Sequence, residues 1–174
     1  DNLAGNPKHA IEMLEAIKRE GLSRYGRTAQ VSASAASNPR LLKAMRDTGI
    51  KHLCVGFEAV TDSALRDVNK PFTAKQNTEA AKAFHEYGFW IHAMMMFGTD
   101  SDNEETARET IEWAKSNADS LQLFIPTPFP GTPFYRDMEA QGRILTKDWS
   151  LYDAQHCVIT PKGFSSYNLQ RRVF

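Results

Sequence analysis

From Phe89 to Phe97 the chain is apolar almost without interruption, and then it changes character: Gly98 stops the run, a polar loop follows, and Ala107, Ile111 and Ala114 recur at helical spacing. The pattern predicts a strand buried on both faces, as in a parallel sheet covered by helices, then a loop and an amphipathic helix. Asp102 and Glu105 have the spacing of an N-cap and its capping box. In such a βα unit ligands gather at the loop leaving the carboxyl end of the strand, which directs attention to positions 98–102.

The same punctuation repeats along the chain. Asn6-Pro7 opens a helix with Ala10, Ile11, Leu14 and Ile17 on its apolar stripe, closed by Gly21. Ala29 to Ala36 contains a short strand of small residues, and Asn38-Pro39 opens a second helix that ends at Gly49. Ile50 to Phe57 reads as the next strand, with Glu58 where it gives out. Thr61 or Asp62 caps a short helix through Leu65, and Asn69-Lys70-Pro71 breaks it. Thr73 and Gln76 then start another helix that runs to Gly88. Beyond the central unit, Leu121 to Ile125 forms a short strand closed by Pro126-Thr-Pro-Phe-Pro-Gly131, and Thr132-Pro133 opens a helix that stops at Gly142. Trp149 to Ile159 has no clean period and reads as irregular with one short strand, and a further helix begins near Ser165. The order is α, then βα four times, and successive βα units make right-handed crossovers between parallel strands.

Composition narrows the function classes. The 174 residues are 41% hydrophobic, with Lys+Arg 21 against Asp+Glu 21, so the basic surplus that phosphate backbones require is missing and nucleic acid is excluded as the main partner. No apolar run is long enough to span a bilayer. Cys54 and Cys157 are the only cysteines, expected to be reduced thiols in a cytoplasmic protein. Two thiols cannot supply the three or four that a [4Fe-4S] cluster takes, and no histidine pair has zinc-site spacing.

Four strand-end signatures, in this order, resemble the radical SAM superfamily, in particular the cobalamin-binding branch that includes hopanoid methylase-like proteins. They are Asp1-Asn2, similar to the tail of an Asp-Asp-Asn turn; Val55-Gly56-Phe57-Glu58, similar to Gly-Ile-Glu-Ser; Met96-Phe97-Gly98 with Asp100, Glu104 and Glu105, similar to a Gly-x-Pro-Gly-Glu loop; and Pro126-Thr-Pro-Phe-Pro-Gly-Thr132 with Gly142-Arg143-Ile144. Ala59 replaces the usual Ser, and Thr99-Asp100-Ser101 replaces the usual Pro-Gly of the third signature.

The resemblance implies an α/β fold in which parallel βα repeats form an arc of a partial (βα)6 TIM barrel, of which the chain holds the last four strands. Residues 1–146 are expected to be the barrel portion and 147–174 a truncated post-barrel extension. It also implies S-adenosylmethionine and a [4Fe-4S] cluster, with cobalamin possible, in a parent protein of the Fe-S oxidoreductase or methyltransferase type that acts on a small molecule. The CxxxCxxC loop is expected in a missing N-terminal part of the same barrel, leaving this chain inactive alone.

By the same resemblance, Asp1 and Asn2 hold the SAM amino group, Glu58 accepts from the ribose hydroxyls, and Lys70 meets the methionyl carboxylate. Ser34, Phe97, Gly98 and Pro126 line the cofactor site. Each has a plainer reading: Glu58 paired with a nearby lysine, Lys70 solvated, Ser34 satisfied by backbone, Asp1 disordered as a chain terminus. The methionines at 94–96 and His92 read as core, and His156 with Tyr152 and Asp153 as a polar cluster. Two other functions stay open. One is a metal-free (βα) enzyme or module for sugars or phosphates, although no P-loop or GxGxxG is present. The other is an interaction fragment that forms homo-oligomers through an exposed sheet edge.

Overall fold

A computed structural model describes residues 2–173, and Asp1 lies outside the described residues. Four strands form one parallel sheet in the order β1-β2-β3-β4, so each strand lies beside its neighbour in the chain. The strands are β1 (Arg27–Ser32), β2 (Ile50–Glu58), β3 (Trp90–Met96) and β4 (Ser120–Phe124). The helices are α1 (Pro7–Arg19), α2 (Pro39–Asp47), α3 (Asp62–Asp67), α4 (Ala74–Glu86), α5 (Glu104–Asn117), α6 (Pro133–Ala140) and α7 (Ser166–Val173). No helix among the described residues is long and apolar enough to cross a membrane.

Local chemistry sets most helix starts. Asn6, Asn38, Thr61, Thr73 and Thr132 each accept a hydrogen bond from a first-turn amide, and Pro follows at N1 in α1, α2 and α6. Thr73 and Gln76 complete a reciprocal capping box. The expected cap of α5 is different. Asn103, not Asp102, accepts from the Glu105 and Thr106 amides at 2.8 and 3.3 Å, while Thr106 Oγ1 accepts from the Asn103 amide at 2.8 Å. Asp102 is turned the other way, for reasons given below.

Residues divide into two compact units: 1–57, 72–94 and 111–122 in the first, and 58–71, 95–110 and 123–174 in the second. In the first, Leu14, Leu41, Leu42 and Met45 of α1 and α2, Leu53, Val55 and Phe57 of β2, and Phe84 of α4 are all almost fully buried. Each such side chain contributes roughly 2 kcal/mol of transfer free energy. Phe57 also meets Trp113 edge-on at 5.0 Å, and its carbonyl accepts from the buried Asn77 amide at 2.9 Å.

Two expectations change here. β3 is not buried on both faces: Ile91, Ala93 and Met95 are buried, but His92, Met94 and Met96 alternate with them at intermediate exposure and Trp90 is 62% exposed. The run reads as continuous because methionine and histidine on the half-covered face are long enough to pack without being enclosed. Moreover, β1 ends at Ser32, and Ala33–Ser37 is a 3-10 turn, so Ser34 lies beyond the strand. Small residues permit that tight turn, which buries Ala33 and Ala35 ahead of the Asn38-Pro39 start.

The second unit begins, in each of its three segments, at or within a residue or two of the end of a strand. Ala59, Ala64 and Leu65 form one small core. Met138, Tyr152, Val158 and Ile159 form another, closed by an antiparallel bridge between Ile144 and Ile159. The third, Phe97, Ile125 and Leu169, joins the ends of β3 and β4 to α7.

Candidate functional site

In the first unit, Asn2 lies along the outer edge of β1. Its Oδ1 accepts from the Ala4 and Ser32 amides at 3.1 and 3.2 Å, and its Nδ2 donates to Ser32 Oγ at 3.2 Å. Ser32 Oγ lies 2.7 Å from the hydroxyl of Ser34, which is exposed. Asn2 and Ser34 therefore belong to one hydroxyl and amide chain, and Asn2 at the same time satisfies an edge amide of the sheet.

In the second unit, Glu58 and Lys70 are brought together. Glu58, the last residue of β2, has φ +68, a left-handed conformation that costs a non-glycine residue roughly 1–2 kcal/mol. Lys70 is positioned by the way α3 ends. Asn69 takes φ +54, the Asn69 amide donates to Arg66 O at 3.0 Å and the Lys70 amide to Leu65 O at 2.9 Å, the paired bonds of a Schellman closure. Its ammonium lies 2.9 Å from Glu58 Oε1, with the two side chains 35% and 19% exposed. The pair joins a left-handed Glu58 to the residue that follows the left-handed Asn69.

The loop after β3 is organised by Asp102. Its carboxylate, 3% exposed, accepts from the Gly98 amide at 2.9 Å, the Thr99 amide at 2.8 Å and Thr99 Oγ1 at 2.9 Å. Three donors to one carboxylate compensate its burial, which a helix cap with water nearby does not require. Asp100, two residues earlier, is gripped from outside the loop. Arg143 binds it through both terminal nitrogens, at 2.6 and 2.9 Å, and Lys162 at 2.7 Å. The hydrogen bond from Arg143 is the main cause that holds the Asp100 carboxyl below its ordinary range.

Phe97 and Gly98 are both buried beneath the C-terminal segment. Phe97 lies 5.4 Å from the Phe164 ring, and Leu169 fills the space over Gly98, whose φ is +105. Gly163 packs directly on Asp102 O, and Arg172 pairs with Glu104. Pro126 is buried, and with Gly98 it lines a cleft of about 460 Å³ that also includes Met96, Phe134, Met138 and Arg143. None of this cover was legible in the sequence of the C-terminal stretch. For Asp102, a signal existed in the adjacent Asn103 and Thr106, which together account for the cap.

The remaining candidates are local structures. His92 sits between Ser120 Oγ at 2.8 Å and Gln122 Oε1 at 3.3 Å. Asp153 accepts from the His156 and Gln155 amides, both at 2.9 Å, and from His156 Nδ1 at 2.9 Å, and the backbone bonds lower its pKa to about 2.

Cys54 and Cys157 cannot supply three thiolates, and no group of three His, Cys, Asp or Glu among the described residues could hold a metal ion, so an iron–sulfur cluster does not fit this chain's side chains. Burial, moreover, raises the pKa of the Cys157 thiol. The Glu58–Lys70 pair does suit a nucleoside amino acid: a carboxylate for neighbouring hydroxyls and an ammonium for a carboxylate.

Comparison with known proteins identifies the family. The sequence profile of the radical SAM superfamily matches residues 3–114. The chain is 30% identical over 171 residues to bacteriochlorophyllide d C-12(1)-methyltransferase of Chlorobaculum tepidum, covering 97% of this chain and 36% of that protein. It is 28% identical over 164 residues to the anaerobic magnesium-protoporphyrin IX monomethyl ester cyclase of Cereibacter sphaeroides, covering 92% of this chain and 26% of that one. It thus spans little more than a third of such relatives at most. In three dimensions it resembles the radical S-adenosylmethionine methyltransferase TsrM of Kitasatospora setae, whose structure holds cobalamin and a [4Fe-4S] cluster. The TM-score is 0.68 at 16% identity, over 81% of this chain and 29% of that one.

Proposed function

This chain belongs to the radical SAM superfamily, and on that premise we propose that it supplies part of the S-adenosylmethionine-binding rim of a radical SAM enzyme of the methyltransferase type. The observation that carries the reading is the Glu58–Lys70 pair. Glu58 accepts from the ribose hydroxyls, and its strained backbone is retained because the carboxylate is needed at the strand end. Lys70 pairs with that carboxylate in the free chain and turns to the methionyl carboxylate when the cofactor enters, a charge-assisted bond in either state. Asn2 and Ser34 contribute amide and hydroxyl groups, and Gly98 and Pro126 shape the strand ends.

An iron–sulfur cluster would have to be held by thiolates other than Cys54 and Cys157, and when bound there it would supply the reductive cleavage of S-adenosylmethionine. On this reading the chain's partner is another part of its own barrel, and the chain alone is catalytically silent.

Anaerobic reconstitution with iron and sulfide tests this. The expected result is no stable cluster absorption and no release of 5′-deoxyadenosine. A stable cluster that cleaves S-adenosylmethionine would overturn it.

A further inference from the structure

The helix α3 is six residues long and packs through a small core of Ala59, Ala64 and Leu65. Its Schellman bonds set the shape of the turn from Leu65 to Lys70, but they leave the placement of that turn to tertiary contacts. Asp67 is the last residue of α3. A carboxylate there sits beside unsatisfied helix carbonyls, where the dipole favours a cation, so it needs a partner outside the helix. That partner is the Ser101 amide of the loop after β3, which donates to Asp67 Oδ2 at 2.7 Å.

The donor is held on both sides. Asp100 is bound by Arg143 at 2.6 and 2.9 Å and by Lys162 at 2.7 Å, and Asp102 accepts three bonds from Gly98 and Thr99. Arg143 is itself anchored, its Nε donating to Thr160 O at 2.8 Å. An amide between two immobilised carboxylates has little freedom to turn. The loop is thus a fixed point from which the end of α3 is hung, and Lys70 reaches Glu58 at 2.9 Å from that end.

We propose that Asp67 is a positioning residue: by binding the Ser101 amide it sets the end of α3, and so the point at which Lys70 meets Glu58. Lysine carries its ammonium on a flexible four-carbon stem, so the ammonium keeps one place only when the backbone beneath it is held. Arg143 and Lys162 act at one further remove, by pinning Asp100. The inference rests on the rim reading above for what the pair receives, but not for the tie itself.

The full chain, with 13C in its lysine side chains, reads the tie without cofactor. Asp67→Ala is expected to lower the order parameter of Lys70 Cε toward that of Lys75, whose side chain is 85% exposed. Asp67→Asn keeps an oxygen that accepts from the Ser101 amide and should recover most of the parent value. A residue that only stabilised the fold would shift the urea midpoint and leave Lys70 as ordered as before. Affinity for S-adenosylmethionine gives a second reading. Asp67→Ala should weaken it about fivefold in the parent chain and less than about twofold in Lys70→Ala, because the effect passes through Lys70. Unchanged Lys70 order in Asp67→Ala, no recovery in Asp67→Asn, or the same loss of affinity in both backgrounds would overturn the assignment. A parent chain that binds no S-adenosylmethionine would overturn the rim reading alone, and the lysine order would still decide the tie.

Discussion

Leu169 occupies the space that a side chain on Gly98 would need, and Gly98 itself sits at φ +105. The two residues make the C-terminal helix a cover for the end of β3. Gly98→Ala then meets two penalties, a backbone strained for any L-residue and a collision with Leu169. Together they are expected to destabilise the chain by about 3 kcal/mol in urea unfolding. In a double-mutant cycle, Leu169→Ala should relieve the steric part and leave the backbone part, so the two changes should be non-additive. Strict additivity would show that the cover is not built on this contact.

Asp102 distinguishes two roles that share one residue type. As a helix cap it would tolerate Asn, which caps equally well. As the buried acceptor of three loop bonds it does not, because Asn replaces an acceptor by a donor facing amides. Asp102→Asn is expected to cost about 2 kcal/mol and to speed hydrogen exchange at Gly98 and Thr99, while Asn103→Ala costs about 1 kcal/mol as a lost cap. A neutral Asp102→Asn would return the capping role to Asp102.

That ambiguity marks how far the sequence reaches. The caps at Asn6, Asn38, Thr61, Thr73 and Thr132 were legible because the donor, the acceptor and the turn that joins them lie within a few residues. The parallel direction of the strands followed from βα alternation, while their arrangement as an arc of a barrel came from the family resemblance. The Schellman closure that delivers Lys70 was foreshadowed by Asn69-Lys70-Pro71, but the meeting of Lys70 with Glu58 needed the backbone on both sides. The grip of Arg143 and Lys162 on Asp100 was invisible, since charged residues in irregular segments carry no period and pair through tertiary structure alone.

Glu58→Gly should behave as changes at functional sites do. It removes an ion pair between partly exposed groups, worth at most about 1 kcal/mol, and relieves a left-handed glutamate by a similar amount. The expected net change in stability is within about 1 kcal/mol of zero by thermal or urea unfolding. A loss of several kcal/mol would make Glu58 a structural residue.

Stability should fall in acid through Asp47, which ties α1 to α2 by Lys18 at 3.0 Å and Lys43 at 2.7 Å. Hydrogen bonds from Lys43 and then Lys18 lower its pKa from 3.8 to about 2. A depressed folded pKa means that the contribution is present above the unfolded value of 3.8 and is lost as pH falls toward 2. Urea midpoints at successive pH values across that window should decline less steeply in Asp47→Asn than in the parent chain. Parallel declines would remove Asp47 as a cause.

The central claim is that Glu58 and Lys70 receive S-adenosylmethionine. Titration of the 15N-labelled chain with S-adenosylmethionine reads it most directly. The account predicts saturable shifts of the Glu58 and Lys70 amides that vanish in Glu58→Gly. Shifts that persist in that variant, or a titration that leaves both amides unmoved, would contradict it.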